Sequence, residues 1–307
     1  MKNVIIIGSG PAAWTASLYL ARADLKPLVL GGRSPGGQLM NTTEVENYPG
    51  FENGITGPEL ISVMEKQAKR FGTEVINEDV TKIEQNDKKF TVLYGDGKKE
   101  ECLAIIITTG SSYRHLGVPG EEEFSAKGVS YCAVCDAPFF KDKVTLVVGG
   151  GDSAMEEALA LEKFSKKVYI SHRRDELRAS KFMQERVLKS KKIEVLWNTE
   201  LKEIKGDTTV KKAVIINNKD NKETEMDVDG IFMAIGAVPN TDFVKGLVEL
   251  DDKGYIVTGK QPKTNVPGIF AAGDVQDHIY RQAITSAGTG CAAALEAQWY
   301  VEELNAK

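Results

Sequence analysis

The sequence has few cysteines and few histidines for its length. Among 307 residues there are four cysteines and three histidines. Four cysteines in so long a chain are not the dense disulfide framework of a small secreted domain, so we expect a reducing, cytoplasmic location. The histidines, His115, His172 and His278, show no zinc-finger spacing to the cysteines. We therefore expect no metal site.

Long hydrophobic runs are also missing. The N-terminal apolar run, Val4–Ile7, ends at Gly8 and is too short for the core of a signal peptide. No segment approaches the roughly 18 apolar residues of a membrane helix. The net charge of −5 argues against nucleic acid or an anionic membrane surface as the main partner. We expect neither partner.

What the sequence does contain is an alternation of strands and helices. A composition of 42% hydrophobic and 27% charged residues is sufficient for two domains with their own cores. Helical patterns cover Pro11–Ala23 and Ala154–Phe164. The pattern is typical of an α/β protein with parallel sheets covered by helices. The predicted strands are Val4–Ile7, Pro27–Leu30, Leu103–Thr108, Val144–Val148, Lys167–Ile170, Ile193–Leu196, Gly230–Ala234 and Ile269–Ala271.

A strand followed by a G-x-G-x-x-A turn and a helix start occurs twice, as VIIIGSGPAA and as TLVVGGGDSA. One such match is weak evidence, but two matches, each after an apolar strand, are much stronger. The first glycine permits the turn, the second admits a pyrophosphate, and the small third residue lets helix and strand pack closely. These positions are Gly8, Gly10 and Ala13 in the first copy and Gly149, Gly151 and Ala154 in the second. The chain is predicted to contain two dinucleotide-binding units.

The two copies differ at the end of the next strand, where an acidic residue would bind a ribose. The first copy has Gly31 there, which leaves the anchoring of its adenosine open. The second has His172, followed by Arg173, Arg174 and Arg178. Three guanidinium groups suit a 2′-phosphate and favour NADPH over NADH. The alternative is a solvated basic stretch on a surface helix.

The stretch YCAVCDAPFF places Cys132 three positions before Cys135, with Asp136 directly after. Two cysteines supply only half of a zinc site, and a ring this small would give little stability as a structural staple. A redox pair explains more, with Asp136 as an acid or base whose pKa would be raised beside an apolar pocket. Alternatively, Asp136 caps a helix.

The motifs GSGPAAWTASLYLARA, GGQLMNTTEVENYPGF, CAVCD, GGGDSA, HRRDELRAS and GIFAAGDVQDHIYRQAITSAGTGCAAA occur in this order. Because these long motifs occur together in this order, the chain resembles the low-molecular-weight thioredoxin reductases over essentially all of its residues. The resemblance implies two nested Rossmann-like dinucleotide-binding domains of the three-layer ββα type. An FAD-binding domain would comprise residues 1–115 and 245–307, with an NADPH-binding domain inserted at 116–244.

The resemblance also assigns site residues. Cys132 and Cys135 would be the redox pair, with Cys135 facing the flavin, Cys132 attacking the partner and Asp136 as the acid or base. Residues that would bind FAD are Gly8, Ser9, Gly10, Pro11, Ala12, Gly36, Gly37, Gln38, Asn47, Val80, Gly273, Asp274, Arg281, Gln282 and Ala283. Residues that would bind NADPH are Gly151, Asp152, Ser153, His172, Arg173, Arg174 and Arg178.

The implied activity is electron transfer from NADPH through FAD and the cysteine pair to oxidised thioredoxin, by a homodimer. A single pair cannot face a flavin and a protein disulfide at once, so the resemblance also implies a rotation between two states. Rival interpretations are a dithiol oxidase of similar architecture, a ferredoxin or peroxide-system reductase, and a nicotinamide-sensing protein without turnover. The basic stretch argues against the first of these, and the intact CAVCD against the last.

Overall fold

A computed structural model describes residues 1–42 and 44–306. The chain divides into two compact units. The first consists of Met1–Ser112 and Val238–Lys307, and the second is the segment between them, Tyr113–Ala237. Each unit has its own hydrophobic core and its own parallel sheet.

The elements alternate as the sequence predicts. The helices are α1 Pro11–Arg22, α2 Gly57–Arg70, α3 Ala133–Asp136, α4 Asp152–Glu162, α5 Lys181–Lys189 and α6 Ala283–Asn305. The strands are β1 Lys2–Ile7, β2 Leu28–Leu30, β3 Glu44–Val45, β4 Ile55–Thr56, β5 Glu74–Ile76, β6 Val80–Asn86, β7 Lys89–Tyr94, β8 Lys98–Ile107, β9 Ser111–Tyr113, β10 Val129–Ser130, β11 Val144–Val148, β12 Lys167–His172, β13 Ile193–Trp197, β14 Thr199–Gly206, β15 Val210–Asn217, β16 Glu223–Asp227, β17 Gly230–Met233, β18 Ala237–Pro239 and β19 Ile269–Ala271.

The first unit is built on a sheet in which β5, β2, β1, β8 and β19 run parallel. Strands β7 and β6 extend it antiparallel beyond β8. β1 is buried on both faces, with Ile6 in the core beneath α1 and α6 and Ile5 in the core on the opposite side. Both faces of the sheet are thus covered, as expected for a parallel sheet.

The second unit repeats this plan with a parallel sheet in the order β10, β17, β11, β12 and β13. Helix α4 follows β11 and packs against the sheet through Met155 and Ala158. The opposite face is covered by a separate antiparallel sheet of β14, β15 and β16, which contributes Leu201, Ile204 and Ala213 to the core.

All eight predicted strands are present, and the α/β class is confirmed, with two Rossmann-like units. Helix α4 begins at Asp152, two positions before the predicted start at Ala154, because the glycine-rich turn leads directly into it. Across residues 1–42 and 44–306, none of the helices is both long and apolar enough to cross a membrane.

Candidate active site

The residues expected to bind FAD lie in three parts of the first unit. Gly8–Ala12 form the turn between β1 and α1, a second group lies between Gly36 and Asn47, and a third runs from Gly273 to Ala283. Val80 begins β6, after the strand that neighbours β2.

The turn after β1 fits a pyrophosphate. Gly8 has φ +121°, and a Cβ there would lie 2.4 Å from the Thr108 carbonyl oxygen. A Cβ on Gly10 would meet nothing within 4 Å, so the turn is open on that side. Helix α1 begins at Pro11 with no side-chain cap and no acidic residue in its first turn. Its first N–H groups are therefore available to an anion.

The second group lies against this turn. Ser9 donates its hydroxyl hydrogen to the Gly31 carbonyl at 2.7 Å, and its Oγ accepts the Gly36 N–H at 2.9 Å. A Cβ on Gly37 would lie 3.8 Å from the Cα of Gly10, so these two glycine segments are close neighbours. Gln38 follows at the start of a 3₁₀ turn. Together these residues border one cleft.

The third group has a half-buried acid and a buried, unpaired donor atom. Burial raises the pKa of Asp274 to about 6, although the Ser286 hydroxyl, which donates to its Oδ1 at 2.9 Å, opposes the shift. Arg281 has φ +48°, and its buried Nε has no hydrogen-bond partner within the described residues. Asn47 donates to the Gln282 side-chain oxygen at 3.3 Å, so two predicted residues far apart in sequence meet here. An acceptor and an orphaned donor suit the polar part of a bound cofactor.

The third group also adjoins the first turn. A Cβ on Gly290 of α6 would lie 2.3 Å from the Ala12 carbonyl oxygen, and one on Gly273 would lie 3.1 Å from the Ala12 Cβ. The glycines thus allow α6 and the Asp274 segment to approach the start of α1. The three groups therefore lie next to one another, and their donors and acceptors suit FAD.

The second unit has a matching turn. Gly149 has φ +154°, and a Cβ there would lie 2.9 Å from the Ala154 Cβ. Gly151 is open, with nothing within 4 Å of a Cβ. Asp152, at the start of α4, differs from the first copy by adding a carboxylate. Its Oδ1 accepts both the N–H and the hydroxyl of Ser180 at 2.8 Å, and these hydrogen bonds lower the pKa of Asp152. Ser153, next in the helix, is exposed.

The basic segment, defined as residues 172–180, folds back onto this turn. Arg178 donates its backbone N–H to the Gly150 carbonyl at 2.7 Å. His172 is buried, and its Nε2 donates to the Glu176 carbonyl at 2.8 Å. A Cβ on Gly150 would lie 2.1 Å from the His172 ring, so the ring packs directly on the turn. His172 therefore supports the basic segment from beneath, rather than presenting a free donor.

The three arginines of the basic segment are differently placed. Arg173, Arg174 and Arg178 are exposed, and within the described residues none of their guanidinium groups forms an ion pair. They surround the turn at the end of β12, where a 2′-phosphate is expected. The residues of this unit fit NADPH.

Cys132 and Cys135 form a disulfide at the start of the short helix α3. Their Cα atoms are 5.4 Å apart. Cys132 precedes the helix, and its sulfur accepts the Cys135 N–H at 3.2 Å. Cys135 is exposed, whereas Cys132 is half-buried. The part of the chain that the structure describes contains no cluster of three potential metal ligands.

Asp136 is held beside this pair by Ser130, a residue that the sequence did not single out. Ser130 donates to Asp136 Oδ2 at 2.5 Å, and its oxygen accepts the Cys132 N–H at 3.1 Å. Burial raises the pKa of Asp136, and the Ser130 hydrogen bond partly offsets that shift. The carboxyl group thus keeps its proton to a higher pH than an ordinary aspartate, which favours a role as a general acid.

Two further acidic residues, not predicted from the sequence, also position the pair. Glu157 of α4 accepts the Ala133 N–H at the first position of α3. Glu121, only 3% exposed, accepts the Tyr131 hydroxyl at 2.9 Å and the Gly117 N–H at 2.7 Å. Burial, and then the bond to Glu121, raise the pKa of Tyr131. Because Tyr131 directly precedes Cys132, these contacts hold the backbone in place just before the cysteine pair.

Comparison with known proteins finds close relatives of the whole chain. The family model described as pyridine nucleotide-disulphide oxidoreductase matches residues 2–290. A thioredoxin reductase of Streptomyces coelicolor is 51% identical over 307 residues, covering 99% of this chain and 95% of the relative. One of Mycolicibacterium smegmatis is 52% identical over 305 residues, covering 99% and 98%.

A crystal structure of thioredoxin reductase from Streptococcus pyogenes matches with a TM-score of 0.95 and 44% identity, covering 99% of both chains. Together with the two glycine-rich turns and the disulfide, these matches identify the family. The chain belongs to the pyridine nucleotide-disulphide oxidoreductases and, among them, to the thioredoxin reductase family.

Proposed function

We propose that this chain is an NADPH-dependent thioredoxin-disulfide reductase, in which electrons pass from NADPH through FAD and the Cys132–Cys135 disulfide to oxidised thioredoxin. The observation that carries the proposal is this disulfide, with the half-buried acid Asp136 directly after it. The substrate is supported by relatives about half identical along the whole chain, which are named thioredoxin reductases.

The first unit is the proposed FAD-binding domain and the second the NADPH-binding domain. Support for FAD in the first unit comes from the uncapped start of α1, the half-buried Asp274 and the Arg281 Nε, which has no hydrogen-bond partner within the described residues. The division into two compact units supports a limit near residue 115, while its second boundary, between Ala237 and Val238, lies seven residues before the expected one at 245. Bound FAD would accept hydride equivalents and deliver an electron pair to the disulfide.

The basic segment is the proposed determinant for NADPH over NADH. Its three exposed arginines carry charge that no acid within the described residues neutralises through an ion pair. A 2′-phosphate offers them charge-assisted, forked hydrogen bonds, whereas the 2′-hydroxyl of NADH does not. His172 contributes by holding this segment on the Gly150 turn.

The cysteines take distinct roles in the exchange with thioredoxin. We assign the roles that the resemblance implies. Cys132, at the start of α3, attacks the thioredoxin disulfide, because its thiolate would be stabilised by the Cys135 N–H, which its sulfur accepts at 3.2 Å. This attack breaks the thioredoxin S–S bond and forms a mixed disulfide. The first thioredoxin thiolate to leave takes a proton from Asp136. The Cys135 thiolate then attacks the Cys132 sulfur and displaces the second thioredoxin thiolate.

Two further features of the family are proposed for this chain. A homodimer is supported by an open groove on the first unit, lined by Tyr19, Tyr48, Phe51 and Val63, that leaves large apolar side chains exposed. Sedimentation of Val63→Glu tests it, because a charge in the groove should convert a dimer to a monomer. A cytoplasmic location is proposed from the low cysteine content alone.

The proposed function is tested by mixing the flavin-loaded protein, NADPH and oxidised thioredoxin without oxygen. The expected result is one thioredoxin dithiol formed per NADPH consumed. No consumption of NADPH in this mixture, together with consumption of oxygen when a dithiol substrate and air are supplied in a separate assay, would favour the dithiol oxidase. Cys132→Ser and Cys135→Ser are the matched variants, and Cys102→Ser, a buried cysteine away from the pair, is the control that should retain activity.

A further inference from the structure

In the first unit, the residues that follow β2 do not include the acidic residue that usually binds a ribose. In a dinucleotide-binding unit that carboxylate stands at the carboxyl end of the second strand. Here the strand ends at Leu30, and the next residues are Gly31, Gly32 and Arg33. The adenosine end of the first site therefore needs another polar group.

The neighbouring strand, β5, supplies one. Leu30 pairs with Ile76 in parallel register, and Gly31 donates its N–H to the Ile76 carbonyl at 2.9 Å. Asn77 and Gly31 are therefore the first residues beyond two adjacent strands. A Cβ placed on Gly31 would lie 2.8 Å from the Asn77 Oδ1. That distance is close to the one between Cβ and the carboxylate oxygens of an aspartate.

The space beside Gly31 is the space that the Asn77 oxygen occupies. The φ of Gly31 is not in the left-handed region, so the backbone would accept another residue. Because the Asn77 oxygen is the end of an exposed side chain without a hydrogen bond within the described residues, it can move aside for a side chain at position 31. In this structure Gly31 and Asn77 are complementary, since one position has no side chain and the other places an oxygen in the space beside it.

The pair also lies on the ligand side of the sheet. Ser9, in the turn that fits the pyrophosphate, donates its hydroxyl to the Gly31 carbonyl at 2.7 Å. The Asn77 side chain is exposed and forms no hydrogen bond within residues 1–42 and 44–306. Its amide therefore remains available, next to the expected path of the cofactor.

Asp79 is the other candidate at this edge, but it is already engaged. Its Oδ1 accepts the Arg33 N–H at 2.9 Å, and its Oδ2 lies 3.7 Å from the Arg33 Nε. The carboxylate of Asp79 thus shapes the loop after β2. Asn77 is the polar side chain whose hydrogen-bonding capacity is unused.

We propose that Asn77 binds the adenosine ribose of FAD through its side-chain amide, in the place of the acid missing after β2. The inference rests on the proposed FAD site of the first unit. An amide offers both an acceptor and donors, and each ribose hydroxyl can donate and accept, so the two groups are matched. The contact is neutral, and therefore weaker than one made by a carboxylate.

The test compares FAD with FMN, which lacks the adenosine. Flavin-free protein is titrated with each, and dissociation constants are measured by quenching of flavin fluorescence. Asn77→Ala should weaken FAD binding about three- to tenfold, the effect of one neutral hydrogen bond, and leave FMN binding unchanged. Asn86→Ala, at the far end of β6, is the matched control and should change neither constant.

A second pair of variants tests the exchange between the two positions. Gly31→Asp alone places a carboxylate at the usual ribose position, and the exposed Asn77 side chain can turn away from the new Cβ, so FAD binding should not weaken. Gly31→Asp combined with Asn77→Ala replaces the amide by that carboxylate, so FAD binding should return to at least the unmodified strength.

The outcomes separate this inference from the proposed function. An unchanged FAD constant in Asn77→Ala, an equal loss for FMN, or a double variant no better than Asn77→Ala would overturn the role of Asn77. If the unmodified protein binds no FAD, the proposed function itself fails, and the ribose contact with it.

Discussion

The Ser130 hydroxyl opposes the rise that burial causes in the pKa of Asp136, so removing it should raise that pKa further. Burial raises the pKa of Asp136, while the Ser130 hydroxyl at 2.5 Å stabilises the charged form and opposes that rise. A hydrogen bond to a charged group contributes about 1.5–3 kcal/mol, and each 1.36 kcal/mol corresponds to one pKa unit. Ser130→Ala is therefore expected to raise the pKa of Asp136 further, by about one to two units.

The assay is the rate at which the prereduced enzyme reduces thioredoxin, followed as a function of pH. The protonated Asp136 is the active acid, so the rate should fall as pH rises through its pKa. In Ser130→Ala this fall in rate, the alkaline limb of the pH profile, should move to higher pH. Thr145→Val is the control, because the Thr145 hydroxyl pairs with Ser165 elsewhere in the same unit. A limb that stays in place, or moves to lower pH, would refute the assigned role of Ser130.

Three other predictions concern the same units. Folding raises the pKa of Asp136, so the protonated carboxyl group contributes stability that is present below the unfolded-state pKa and is lost as pH rises through the folded-state pKa. Asp136→Asn should therefore raise the melting temperature more at alkaline pH than at pH 4. A change in melting temperature that does not depend on pH would contradict this. Replacing each of the three arginines of the basic segment with alanine should raise the KM for NADPH at least about tenfold and leave the KM for NADH unchanged. Equal effects on the two KM values would contradict the assignment of the arginines to the 2′-phosphate. Gly150→Ala places a Cβ 2.1 Å from the His172 ring, so NADPH binding measured by calorimetry should weaken while flavin content stays constant. Gly259→Ala, whose Cβ would meet nothing within 4 Å, is the control. Unimpaired NADPH binding in Gly150→Ala would contradict the packing of His172 on this turn.

The strands that the sequence revealed are those of the buried parallel sheets, because burial on both faces makes them continuous apolar runs. The antiparallel strands β6, β7, β14, β15 and β16 were missed, and so were the short parallel edge strands β5 and β10. Among them, β6, β14 and β16 each have an exposed face, and their sequences, VTKIEQN, TELKEIKG and ETEMD, are largely polar. Helix α2 carried a signal that was not used: Thr56 and Glu59 form a capping box at its start.

The site shows a similar division. The glycine-rich turns and the cysteine pair are local in sequence, so spacing alone revealed them. Ser130, Glu157 and Asn77 could not be found in this way, because each reaches its position through pairing or packing of a separate element. The protonation of Asp136 likewise depends on burial, which spacing does not report. The exposure of Cys135 relative to Cys132 also emerged only from the structure.

The central claim is that electrons pass through the Cys132–Cys135 pair, and anaerobic titration with NADPH tests it most directly. The unmodified protein should take up two equivalents of NADPH per chain, one for the flavin and one for the disulfide, and then reduce added thioredoxin. Cys132→Ser and Cys135→Ser should take up one equivalent, bleach the flavin, and reduce no thioredoxin catalytically. Two equivalents and sustained thioredoxin reduction in either variant would contradict the account.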